Sequence, residues 1–442
     1  MDCPTGKAGH TTPIDIDIDI DIEEGRNIML YRSRLPAFAA VIILVVCSAL
    51  VAGAPVFAAD LAAEARRLVG MGQGVQVETA DGQVLVSEAG ARAVHPASVS
   101  KLPTTLALLR ALGPDHRFVT RFLAGGPIQA GAVEGPLVVR ANGDPYFVDE
   151  NALLVLDALR QLGVREVQGD LLVEGPLIFN WKSDALVQRL RGALEGDVAA
   201  TVWQAVRATM SPANEVSAAV PRLHFAQSPA RTAGPETLLV THRSQQLRYI
   251  LKALNGYSNN IFAPLAASAG GIGAVQEQIR NDLPPGYSEE LVLGDGAGAH
   301  AANRMSPRAT VAILRALNTE LASHGLDLTS VMPVAGVDEG TLKKRLVGPD
   351  GDGVIVAKTG TYGDFGACAL VGALRTKNGV VYFAILNRGV PIEEARRRQD
   401  AYVRVLITEL GALPWDYQRN DAPAFTRADV TLAERGPAVP AR

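Results

Sequence analysis

Cysteine is scarce in this chain. Cys3, Cys47 and Cys368 are the only three in 442 residues, which excludes a disulfide framework. Histidine is nearly as sparse: the seven are scattered, with no His-Glu-x-x-His and no tight His/Asp cluster, so the pattern disfavours a zinc peptidase. There is no basic excess either. A net charge of -4 gives no electrostatic footprint for nucleic acid. No internal repeat is visible. What remains is ordinary globular composition, 48% hydrophobic and 20% charged, in a chain long enough for two or three domains.

One long apolar run stands out. Residues 36–55 read PAFAAVIILVVCSALVAGAP behind Arg32 and Arg34, and Val56-Phe57-Ala58-Ala59 follows. A basic flank, an apolar stretch and a small-x-small end form a secretory signal peptide over 29–58, cut after Ala58. The alternative is an uncleaved anchor, because the run approaches spanning length. Residues 1–28 precede the signal. Their strict Asp/Ile alternation over 14–22 would line one strand face with like charges, so the signal is read from Met29. The expected location is exported, periplasmic or otherwise extracytoplasmic, with peripheral membrane association left open. Cys368 is then a single thiol, compatible with an oxidising compartment.

Alternating runs over 74–87 flank Asp81-Gly82, and those over 367–386 flank Asn378-Gly379, two hairpin signals. A helix is expected over 102–112, ended by Gly113-Pro114 and distorted by Pro103. Residues 137–139 and 164–173 read as strands, 151–162 and 183–210 as helices, and 211–234 as irregular. Helical texture resumes at 247–254. A strand is expected over 354–358 and an amphipathic helix over 393–410. Sheet elements near both ends with helices between them make an α+β design. The organisation is a catalytic domain over 59–120 and 235–415, an inserted domain over 121–234, and a loose Pro- and charge-rich tail over 416–442.

Three short patterns carry chemistry. Ser98-Val99-Ser100-Lys101 is a Ser-x-x-Lys, which places hydroxyl and amine on one helical face. A hydroxyl needs a base to become a nucleophile, and an amine serves when its charge is discouraged. Ser258-Asn259-Asn260 offers a hydroxyl for proton transfer and an amide for a substrate carbonyl. Lys358-Thr359-Gly360-Thr361 ends a strand, with a cation and hydroxyls for a carboxylate and a glycine for close backbone approach. Each is weak alone. A surface Lys one turn from a capping Ser, a polar turn, or a strand-end lysine explains any one of them. The ordered set is far more specific.

With that set the chain resembles the class C penicillin-binding proteins, serine-type D-alanyl-D-alanine carboxypeptidase/endopeptidases. Their β-lactamase/transpeptidase-like fold carries a domain inserted after the nucleophile helix. The resemblance spans roughly 61–410. It extends to Ala141-Asn142-Gly143-Asp144-Pro145, Gly294-Asp295-Gly296-Ala297-Gly298, Asn303-Arg304-Met305-Ser306-Pro307, Met332-Pro333-Val334-Ala335-Gly336 and Gly340-Thr341-Leu342. It implies an acyl-enzyme on Ser98 with Lys101 as base, a proton relay at Ser258, and substrate orientation by Asn260. Lys358 and Thr359 would hold a terminal carboxylate, beside Gly360 and Thr361, and the N–H groups of Ser98 and Thr361 would form the oxyanion hole. The implied partners are peptidoglycan stem peptides and, as covalent inhibitors, β-lactams. No metal or organic cofactor is implied. Ala297 stands where the family has serine, and the insertion is short. Two alternatives follow: a β-lactamase-like esterase of the same fold, or a catalytically weak cell-wall binding protein.

Overall fold

A computed structural model describes residues 56–210, 219–226, 234–363 and 366–433. The leader and the apolar run over 1–55 lie outside these residues. The chain forms α1 (Val56–Leu68), β1 (Gly74–Thr79), β2 (Val84–Glu88), α2 (Lys101–Leu112), β3 (Val119–Ala124), β4 (Leu137–Ala141), α3 (Asp149–Gln161), β5 (Leu171–Glu174), α4 (Leu186–Leu194) and α5 (Ala200–Arg207). It continues with β6 (Thr237–Arg243), α6 (Leu247–Tyr257), α7 (Ile272–Asp282), α8 (Pro307–Ser323), β7 (Ile355–Tyr362), β8 (Ala367–Thr376), β9 (Gly379–Asn387), α9 (Ile392–Glu409) and β10 (Asp429–Leu432). Shorter strands and 3-10 turns connect these. Among the described residues no helix is long and apolar enough to cross a membrane.

The first sheet has the order β7-β8-β9-β1-β2 and is antiparallel throughout. Its N-terminal hairpin therefore pairs with three strands from the far end of the sequence. β8 and β9 read as nearly unbroken apolar runs because both faces are covered. Ile385 and Phe383 point to one side, where Leu61, Tyr402 and Leu406 of α1 and α9 pack on them. Leu386, Ala384 and Val371 point to the other, toward Leu102, Leu106, Leu251 and Leu314 of α2, α6 and α8. The period of two along each strand thus feeds two cores.

The second sheet has the order β10-β6-β3-β4-β5, with β4 and β5 parallel and the other pairs antiparallel. It builds its own core from Phe122, Val139, Leu153, Leu156, Trp203, Val240 and Phe425. The expected loose tail is corrected over its described part. Residues 424–427 form a 3-10 turn, Phe425 is buried, and β10 pairs with β6. Composition missed this because one aromatic anchor and a four-residue edge strand suffice to dock an otherwise polar segment. Pro103 also behaves differently from the expectation. It is the third residue of α2, in the first turn, where its missing N–H has no intrahelical partner to lose.

Candidate active site

Ser98 lies on a 3-10 turn, Ala97–Ser100, that leads directly into α2. Ala97 takes a positive φ of 51°. The Ala97 N–H donates to His95 Nδ1 at 3.1 Å, and the other ring nitrogen faces the His300 carbonyl at 3.2 Å. These contacts require the neutral tautomer with its proton on Nε2. Burial holds the His95 pKa below its ordinary value, against the opposing pull of the His300 carbonyl. On the other side of the turn, a Cβ at Gly298 would sit 1.9 Å from the Ala97 carbonyl, so no other residue fits there. A Cβ at Gly360 would meet the Pro96 carbonyl at 2.6 Å and Ser98 N at 3.2 Å. The nucleophile turn is therefore wedged between two glycine backbones.

The structure brings all three motifs together. Lys101 is fully buried, and its Nζ donates to Ser98 Oγ at 2.8 Å, Asn260 Oδ1 at 3.1 Å and the Ala297 carbonyl at 2.6 Å. Burial lowers its pKa from 10.5 to about 8, with Asp295 pulling the other way. An amine of that pKa, in contact with a hydroxyl, is suited to take its proton. Ser258 caps α6 in the left-handed conformation, φ 57°, and its hydroxyl accepts from Lys358 Nζ at 2.8 Å. Ser100, the other serine of the first motif, is buried with no hydrogen-bond partner for its Oγ.

Lys358 is placed differently from the expectation. It is 0% exposed, and its ammonium binds Ser258 Oγ and, at 2.7 Å, the Thr359 carbonyl. Burial and the nearby Lys101 charge push its pKa well below the ordinary lysine value. A cleft of about 570 Å³ opens beside Ser98, Ser258, Thr359 and Thr361, and Lys358 lies behind its wall. Thr359 Oγ1 bonds Thr341 Oγ1 at 2.8 Å. The sequence reading had not singled out the far wall of the cleft, Arg345, Glu393, Arg396, Arg397 and Asp400. The available signal was the dense Glu/Arg spacing at the start of α9.

Ala297 acts through its backbone. Its carbonyl, which any residue would carry, is the Lys101 acceptor, so the change from the family's serine removes no contact of Lys101 seen here. Asp295 shapes that loop by accepting from the N–H groups of Ala297, Gly298, Ala299 and His300 and from Asn303 Nδ2. Burial opposes its ionisation, but the Asn303 amide and the backbone donors prevail and lower its pKa. The Asn142-Gly143-Asp144-Pro145 segment is structural. Asn142 Oδ1 accepts from Val119 N, and Asp144 is buried 3.7 Å from His242. Burial raises Asp144 to about 7 and lowers His242 to about 3, so the imidazole is uncharged at neutral pH and the contact is not an ion pair.

A helix-borne serine bonded to a buried lysine, facing a Ser-x-Asn turn and a Lys-Thr-Gly strand, defines an active-site-serine acyl-transfer hydrolase of penicillin-binding, β-lactamase-like fold. The chain belongs to the D-Ala-D-Ala carboxypeptidase 3 (S13) family, whose model matches residues 58–188 and 223–409. It is a serine peptidase, a hydrolase of the D-alanyl-D-alanine carboxypeptidase type. A D-alanyl-D-alanine carboxypeptidase from Actinomadura sp. (strain R39) is 26% identical over 425 residues, 71% of this chain and 77% of that protein. A predatory peptidoglycan endopeptidase from Bdellovibrio bacteriovorus has a similar structure. Its TM-score is 0.61 at 22% identity, over 79% of this chain and 95% of that one. Penicillin binding protein 4 from Haemophilus influenzae gives a TM-score of 0.56 at 20% identity, over 80% and 99% of the two chains. These two structural likenesses show the fold.

Proposed function

We propose that the protein hydrolyses the bond between the two terminal D-alanines of peptidoglycan stem peptides through an acyl-enzyme on Ser98. The observation that carries this reading is the buried Lys101 ammonium 2.8 Å from Ser98 Oγ. In the neutral form Lys101 takes the hydroxyl proton as Oγ attacks the carbonyl carbon. The N–H groups of Ser98 and Thr361, either side of Gly360, receive the developing oxyanion. Ser258, held by Lys358, relays to the departing D-alanine amine the proton that Lys101 took from Ser98, and the C–N bond breaks. Asn260 orients the substrate amide. Water then attacks the ester, returning the proton to Ser98 and releasing the shortened peptide.

The reading places the protein outside the cytoplasm, since the substrate is there and an exporting signal is expected over 29–58. It also makes β-lactams covalent inhibitors; a Bdellovibrio neighbour has been seen acylated by penicillin G. The test is intact-mass spectrometry after incubation with penicillin G, alongside release of D-alanine from a stem peptide. The parent protein should gain one penicilloyl mass. Ser98→Ala should lose both labelling and D-alanine release, and Ser100→Ala should keep labelling. Persistent labelling of Ser98→Ala would exclude Ser98 as the nucleophile.

A further inference from the structure

Three arginines line the far wall of the cleft, and they are not equivalent. Arg345 is held by Asp400 through both carboxylate oxygens and by Gln399. Arg397 pairs with Glu394 and is 72% exposed. Arg396 alone among the three touches the substrate strand: its Nη2 donates to Thr361 Oγ1 at 3.3 Å. Its other terminal nitrogen meets Glu393 at 2.7 Å, an i,i+3 pair in which the glutamate is 75% exposed.

A substrate carboxylate lying against Thr359 and Thr361 needs a cation it can reach. Lys358 fails that requirement on geometry, being fully buried behind Ser258 and Thr359 with its protons directed at those two groups. Arg396 meets it. Its fork is rigid, permanently charged, and matched to a carboxylate. The Glu393 carboxylate already sits on that fork. An exposed helix pair of this kind holds weakly, so an incoming carboxylate can replace it.

We propose that Arg396, rather than Lys358, is the specificity residue that receives the terminal carboxylate of the substrate, and that Glu393 occupies the same guanidinium in the free protein. Lys358 then serves the Ser258 hydroxyl and acts on every substrate alike. This assignment rests on the acyl-transfer reading above.

The test compares two stem peptides that differ only at the C-terminus, one ending in free D-Ala-D-Ala and the other amidated. Loss of a charge-assisted hydrogen bond changes a ratio by roughly ten- to a hundredfold. Arg396→Gln should lower kcat/KM for the free acid by that factor, mostly through KM, and leave the amide within about twofold. Lys358→Gln should lower both together. Glu393→Gln should improve the free acid alone, and Arg397→Gln should leave the ratio unchanged. Binding of the two peptides to Ser98→Ala protein, with and without Arg396→Gln, reads the carboxylate contact without turnover. A parent protein that binds the peptides but neither releases D-alanine nor takes up penicillin would sink the acyl-transfer reading; the binding ratio would still decide the assignment of Arg396. Equal loss of both peptides in Arg396→Gln, or a free-acid preference that vanishes only in Lys358→Gln, would overturn that assignment.

Discussion

At the scale of single residues the site is governed by where charge is tolerated. Lys101 and Lys358 are both fully buried, yet they touch different hydroxyls, those of Ser98 and Ser258. Burial brings Lys101 to about 8, so its conjugate base is the minor form at neutral pH and the major form only above about pH 8. Acylation by penicillin should therefore speed up as pH rises through about 8 and then level off. Stopped-flow labelling between pH 6 and 10 measures it, and a rate flat across that range would remove Lys101 as the base. Lys101→Gln should slow acylation by about 10²- to 10⁴-fold, with Tm reported separately to show that the fold survives.

At the scale of elements, loops and turns place the chemistry and the helices and strands brace them. The Asp295 loop presents a backbone carbonyl to Lys101, and the His95 imidazole and Gly298 fix the turn that carries Ser98. The Asp144 turn illustrates the cost of such placement. Its folded-state pKa, about 7, lies above the ordinary 3.8, so the folded protein binds a proton that the unfolded chain has released. Stability tied to that proton is fully present below about pH 4, falls as pH rises, and is gone above about 7. Asp144→Asn keeps a neutral side chain of the same shape. Its Tm relative to the parent should climb between pH 4 and 7 and then stay level; a difference independent of pH would show that the carboxyl is ionised in the fold.

At the scale of the whole molecule, two sheets divide the work. The first sheet and its helices carry all three sequence motifs, and the second sheet gathers residues from 119 to 243 together with β10. Phe425 is the aromatic that fastens the late segment to the second core. Phe425→Ala should cost about 3–5 kcal/mol in that core, seen as a lower-melting transition. At temperatures below it, penicillin acylation of Ser98 should be unchanged. Loss of acylation in step with the melting of the second core would show instead that the two sheets fold as one unit.

Much of this protein was legible in one dimension. The hairpins at Asp81-Gly82 and Asn378-Gly379, the strand ending in Lys-Thr-Gly and the amphipathic α9 follow from local turn chemistry and periodicity. Ser98 and Lys101 are three residues apart, so their contact is also a local property. The rest depended on distance in space. Lys358 looks like a surface cation in sequence and lies buried because β7 packs against the Ala97–Ser100 turn and the lysine reaches Ser258 at the end of α6. Arg396 is one of several arginines in α9, and only docking of that helix beside β7 sets it against Thr361. The segment after Trp415 has loop composition, and only an open edge at β6 makes part of it a strand. Residue type and spacing determined which groups could react. Burial and long-range packing decided which of them face the cleft, because solvent access depends on what the fold brings alongside.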